Sequence, residues 1–197
     1  MSDQVQADCS LKSAAASAVC HDPKDMIRIF NDLFQHRCNT LLVRGEEEPI
    51  YLPADDSHPH HRVIFAHGYY ASCLHEISHW CIAGPERRLL EDFGYWYQPD
   101  GRSQDQQACF EQVEVKPQAL EWILAKACGY KFRVSADNLS GVPTDNAEFK
   151  ENVYQQVLCY LQQGLAERPR LLVASLAEFY RRPLPASEHF SLKELHW

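Results

Sequence analysis

The chain has no CxxC pair. Its eight cysteines, at positions 9, 20, 38, 73, 81, 109, 128 and 159, are spaced too widely for a zinc ribbon or a thioredoxin-like motif, and read as reduced thiols of a cytosolic protein. It has no apolar run approaching the ~18 residues needed to span a bilayer. The opening residues, MSDQVQADCSLKSAAASAVCHD, are polar throughout and lack an apolar h-region, so no secretory signal is expected and the predicted location is cytoplasmic. Blocks of Lys or Arg are also missing. With a net charge of −8, the field of the whole molecule disfavours nucleic acid as a partner. The acidic runs Glu46-Glu47-Glu48 and Asp55-Asp56 read as solvated turns. There is no internal repeat and no low-complexity tract. What remains, 45% hydrophobic and 23% charged residues over 197 positions, is the composition of a folded domain. Residues 1–22 lack periodicity and are expected to be a mobile tail, with one domain over 23–197 and a monomer as the expected state.

Strands are predicted early and helices afterwards, which gives an α+β class: a mostly helical domain with a small early hairpin or sheet. Asp22-Pro23 reads as a cap followed by proline at the first helical position, and Met26, Ile29, Phe30, Leu33 and Phe34 share one helical face up to about Arg37. Thr40–Val43 and Pro49–Leu52 flank a charged turn and suggest a hairpin, with Arg62–Ala66 as a third strand. A helix is predicted from about Tyr70 to Ala83, another around Glu86–Phe93, and a loop over Gly94–Ser103. A helical region begins near Gln104 and a clearer helix runs from Pro117 to Cys128; Pro117 leaves the intervening Glu111–Val115 undecided between helix and extended chain. Two core helices, Ala147–Gln163 and Pro169–Arg182, close the chain.

One stretch carries chemistry. Residues 75–80 read HEISHW, which contains the HExxH pattern that zinc peptidases place on a helix. Residues four apart lie one turn apart on the same face, so His75 and His79 can aim imidazole nitrogens at one metal ion, with Glu76 beside it. For a chain with 10 His among 197 residues, the pattern arises by chance only ~0.04 times, so a metal site is the working expectation. Two histidines need a third protein ligand. The metzincin continuation is absent, because Pro85 stands where its third histidine belongs. Glu86, Glu91, Asp92, Glu111, Glu114 and Glu121 are the carboxylate candidates. The first three follow too closely for a chain that must leave the helix and return. Glu114 is favoured because it lies between Val113 and Val115, on a segment far enough along to face the first helix. The donor set allows two readings. With zinc, Glu76 is the general base of an HExxH…E metallopeptidase; with iron(II), open positions serve dioxygen chemistry.

The blocks EPIYLPAD (48–55), RVIFAHGYYAS (62–72), HEISHWCIAG (75–84), FGYWYQPDGR (93–102) and VEVKPQALEW (113–122) resemble the bacterial elongation factor P hydroxylases. Weaker agreement continues through Asn138, Leu139 and ERP at 167–169, so the resemblance spans roughly residues 23–185. It implies a metal-dependent hydroxylase with a fold unlike the usual oxygenase barrels, whose substrate is the β-lysylated lysine of translation elongation factor P. It implies a ligand set of His75, His79 and Glu114, with Fe(2+) as the active metal (a different divalent ion such as zinc being able to occupy a crystal) and O2 as co-substrate. Glu76 matches the glutamate between the family's histidines and is expected to act as acid, base or substrate anchor. The long dicationic side chain of such a substrate suits Glu76, Asp92 or Asp100 as partners and a channel lined by Trp80, Tyr95, Trp96 and Tyr97. His67 is a further neighbour to test against the metal, although a structural role is the stronger expectation. His58, His60 and His61 read as a solvated loop cluster.

Overall fold

The computed structural model describes residues 20–92, 101–136 and 146–195. Helix α1, Pro23–Cys38, starts as its residues dictate. The Asp22 side chain accepts from the Lys24 backbone N–H at 2.9 Å, Pro23 fills the first turn, and Asn39 ends the helix in the left-handed region at φ 51°. Its buried face is Met26, Ile29, Phe30 and Phe34. Strands β1 (Thr40–Arg44), β2 (Ile50–Leu52) and β3 (His61–Phe65) follow. Asn31 of α1 binds both backbone groups of Leu42, at 2.8 Å and 3.5 Å, and so fixes α1 over the sheet.

The sheet is present, but β1 and β2 do not form the expected hairpin. The strand order is β1-β3-β2, with β1 parallel and β2 antiparallel to β3. Val63 and Phe65 of β3 are buried, and no residue of this strand is exposed. As the central strand it bonds along both edges, which removes unpaired backbone groups from the interior. The antiparallel hairpin is therefore β2–β3, across the polar loop at 53–60.

Helix α2, Tyr70–Ile82, carries HEISHW. It is entered through a tight turn in which His67 (φ 51°) and Gly68 (φ 68°) are left-handed. Ser72 Oγ accepts from the Ala66 N–H at 3.0 Å, which secures the first turn. Arg168 donates to the carbonyls of Trp80 at 2.9 Å and Ala83 at 2.6 Å, and Arg88 donates to Ala83 at 2.6 Å. These cations satisfy carbonyls that a helix C-terminus leaves open.

The helix expected over Glu86–Phe93 is reduced to a 3-10 turn at Arg87–Leu89. Leu89 and Leu90 are exposed, so there is no apolar face to bury. Asp92 instead pairs with Tyr51 on the sheet edge, at 2.7 and 3.0 Å. Helix α3 runs unbroken over Gln104–Cys128, from a Ser103/Gln106 capping box to Gly129 at φ 71°. Glu111–Val115 is thus helical, and Pro117 lies inside. A proline there ordinarily costs ~3 kcal/mol; here every residue from Pro117 to Ala125 is buried, and that packing outweighs the lost bond. Helices α4, Ala147–Gln163, and α5, Glu167–Phe179, complete the core with Phe149, Val153, Val157, Leu172 and Leu176. The last helix begins before Pro169, whose missing N–H falls in the first turn and needs no partner.

His21, placed in the tail by its sequence, belongs to the fold. Its ring lies among Tyr70, Tyr130 and Tyr180 at 5.1–5.2 Å, and its Nε2 bonds the Cys128 carbonyl at 2.9 Å. Among the described residues the cysteines are free thiols, with Cys73, Cys81 and Cys128 buried. No described helix is long and apolar enough to cross a membrane.

Candidate metal centre

The site forms where α2 and α3 pack together. His75 and His79, one turn apart on α2, both turn Nε2 toward Glu114 on α3. The two nitrogens are 3.1 Å apart. His79 Nε2 is 3.2 Å from Glu114 Oε1, and His75 Nε2 is 3.7 Å from Glu114 Oε2. Atoms held ~2.1 Å from one ion at angles of ~95–125° have these separations. These three residues can hold a metal ion, with one ligand atom from each within 4.8 Å of the others.

Hydrogen bonding alone serves this cluster poorly. His79 Nε2 can accept from His75 or donate to Glu114, and one nitrogen cannot do both. A cation at the centre satisfies all three lone pairs together. Charge points the same way: with both imidazoles neutral, the carboxylates of Glu114 and Glu121 sum to −2, which a divalent ion balances.

The supports are specific. Glu121, two turns beyond Glu114 on α3, meets His75 Nδ1 at 2.9 Å. Gln118, one turn beyond Glu114, donates to Glu114 Oε2 at 3.2 Å and to the Ser135 carbonyl at 2.7 Å, and accepts from the Ser135 N–H at 3.0 Å. Burial would raise the Glu114 pKa, but the hydrogen bond and charge of His79, the charge of His75 and the Gln118 bond outweigh it and lower it to about 2. Burial would lower His75; the Glu121 bond and the charges of Glu121, Glu114 and Glu76 raise it to about 10. Glu76 is raised, chiefly by burial, against the pull of His75 and His79.

A cleft of about 360 Å³ opens beside the triad. Glu76, His79 and Trp80 form its α2 wall, Val113 and Lys116 its α3 wall, and Tyr51 and Arg88 part of its rim. The structure thus brings together all four residues singled out in the sequence: His75, Glu76, His79 and Glu114. It changes the part assigned to others. Asp92 is engaged at both oxygens by Arg87, at 2.7 and 2.8 Å, so its carboxylate is not free for a substrate amine. His67 is exposed and lies against Tyr69; it is not among the ligating cluster. Trp80 is core, packed edge-on to Phe30 and tilted against Phe34, each at 4.9 Å, with one side reaching the cleft. His58, His60 and His61 bond to Asp55, Asn39 and the Ala54 N–H within and beside their loop. Tyr95, Trp96, Tyr97 and Asp100 lie outside the described residues.

Glu121 was weighed in the sequence as a metal ligand and is found behind His75, on the Nδ1 side of its ring. Gln118 was missed. Its signal was present: a polar residue one turn from Glu114 inside an otherwise apolar stretch.

The family model described as elongation factor P hydroxylase matches residues 29–190. The chain belongs to the elongation factor P hydroxylase family. A protein of Haemophilus influenzae named Elongation factor P lysine hydroxylase is 56% identical over 160 residues, which cover 81% of this chain and 90% of that relative. The family match contains His75, Glu76, His79, Glu114, Gln118 and Glu121 within one continuous span. It does not support the HExxH…E metallopeptidase reading, which rested on the metal-ligand pattern without the surrounding sequence.

Proposed function

We propose that this protein is a non-haem iron enzyme that hydroxylates the β-lysylated lysine side chain of elongation factor P. One observation supports the reading most: in a chain of this family, two imidazoles and one carboxylate converge on a single point beside an open cleft. His75, His79 and Glu114 are the ligands in this reading. Bound by these residues, iron(II) would supply the activation of dioxygen. In balance, one oxygen atom enters a C–H bond and the other leaves as water, with two electrons and two protons drawn from an external reductant.

The protein's own groups do the rest. Glu121 and Gln118 hold the ligand side chains in place. Glu76 lines the cleft next to His79 and meets the substrate. Ionised, it accepts from an ammonium group; protonated, it donates a proton. Burial raises its pKa, which brings the two forms closer in energy. Trp80, Val63 and Val113 give the methylene stem an apolar wall and limit water around the reacting carbon. The proposal places the enzyme in the cytoplasm, where a translation factor is available, and as a monomer over residues 23–197.

The test is direct. Iron-reconstituted protein is incubated with β-lysylated elongation factor P, reductant and air, and the product is weighed. A gain of one oxygen, lost without air and lost in His75→Ala and Glu114→Ala, is the expected result. Peptide fragments in place of that gain would return the site to peptidase chemistry.

A further inference from the structure

Helices α2 and α3 meet antiparallel, so that His79 faces Glu114 and His75 faces Glu121. Glu121 lies seven residues, ~10 Å of helix rise, beyond Glu114. Its carboxylate reaches the side of the His75 ring remote from the triad, meeting Nδ1 at 2.9 Å while Nε2 faces His79 and Glu114. With His75 in place, Glu121 is separated from the metal position by the imidazole itself. A carboxylate can only accept, so this bond puts a proton on Nδ1 and leaves Nε2 as the ligating atom. Glu121 also stands in a stretch where Pro117 through Ala125 are all buried. A carboxylate held there needs a partner, and His75 provides it.

We propose that Glu121 is a positioning residue for the metal centre: it selects the His75 tautomer and fixes the ring so that Nε2 points at the ion. The inference rests on the reading of His75, His79 and Glu114 as metal ligands. Gln118 serves Glu114 in a parallel way, by tying its carboxylate to the backbone at Ser135.

The experiment uses Co(II) as probe and needs no turnover. Binding to the full chain is followed by calorimetry and by the visible spectrum of the bound ion, beside the thermal midpoint of the metal-free protein. Glu121→Met keeps the bulk and removes the acceptor; Glu121→Gln keeps an acceptor oxygen without the charge. The Met variant should bind cobalt roughly 10–100-fold more weakly. Its stoichiometry and band positions should stay unchanged, because no ligand is lost. The Gln variant should recover most of that affinity. Wild-type affinity in the Met variant would overturn the proposal. So would a spectrum of lower coordination number, which makes Glu121 a ligand, or a Gln variant as weak as Met, which makes the effect one of charge. If Glu121→Met does not fold, the Gln variant decides: near-wild-type affinity with unchanged bands supports the proposal, and a tenfold or greater loss overturns it. His75→Ala separates the underlying reading. If that variant binds cobalt as tightly as wild type, the triad itself is not the site.

Discussion

At the scale of single residues, the site is a small set of groups whose protonation is tied to their neighbours. In the metal-free protein His75 is raised from its ordinary 6.5 to about 10, and Glu114 is lowered from 4.5 to about 2. The raised histidine contributes stability that is fully present below pH 6.5 and is lost as pH rises through about 10. The lowered carboxylate contributes stability that is fully present above pH 4.5 and is lost as pH falls toward about 2. The metal-free protein should therefore draw most from this cluster between pH 4.5 and 6.5. Thermal midpoints measured from pH 4 to 10 should fall on the alkaline side, and His75→Gln should flatten that limb. An alkaline limb that is the same in wild type and variant would show that His75 does not carry the charge assigned to it. Glu76 gives a separate prediction. Glu76→Gln should keep metal affinity within about threefold, since its carboxylate is not a ligand in this account. It should raise the KM for the modified substrate by an order of magnitude or more, because a neutral amide oxygen accepts from an ammonium group without the charge that strengthens the bond.

At the scale of elements, α2 and α3 carry the whole triad, and their readability in the sequence differed. The face shared by His75 and His79 follows from helical spacing alone, so the α2 half was legible. Glu114 could be favoured from its valine neighbours and its distance along the chain, but not secured. Its own helix, α3, contains Pro117, and local rules expect a break there. Burial of Pro117 and the eight residues after it overrides that rule, and burial depends on the packing of α2, α4 and α5, which no local pattern contains. The sheet order was hidden for the same reason: nearest neighbours in sequence suggested β1 with β2, while the requirement to bond both edges of the buried strand put β3 between them. The restraint on the end of α2 was also invisible, because Arg168 comes from 85 residues away. Arg168 binds two carbonyls of that end and lies over the Trp80 ring at 4.6 Å. Arg168→Ala should destabilise the fold by ~1–3 kcal/mol, read from urea unfolding. Arg168→Lys should recover only part, since it cannot span both carbonyls in one plane. A loss under ~0.5 kcal/mol would show that α2 does not depend on that cap.

At the scale of the whole molecule, the fold brings His75, His79 and Glu114 together between α2 and α3, beside a cleft that the small sheet helps to line through Tyr51 and Val63. The pentapeptide HEISHW is compatible with cutting peptides or with oxygenating a side chain; the match across residues 29–190 separates the two. The most direct measurement is the origin of the oxygen in the product. Iron-reconstituted protein, reductant and β-lysylated elongation factor P are incubated under 18O2 in ordinary water, and the modified lysine is analysed by mass spectrometry. The account predicts one oxygen-18 atom on the lysine side chain, and none with Glu114→Ala. Product oxygen taken from water, or an unmodified lysine beside cleaved peptide, would contradict it.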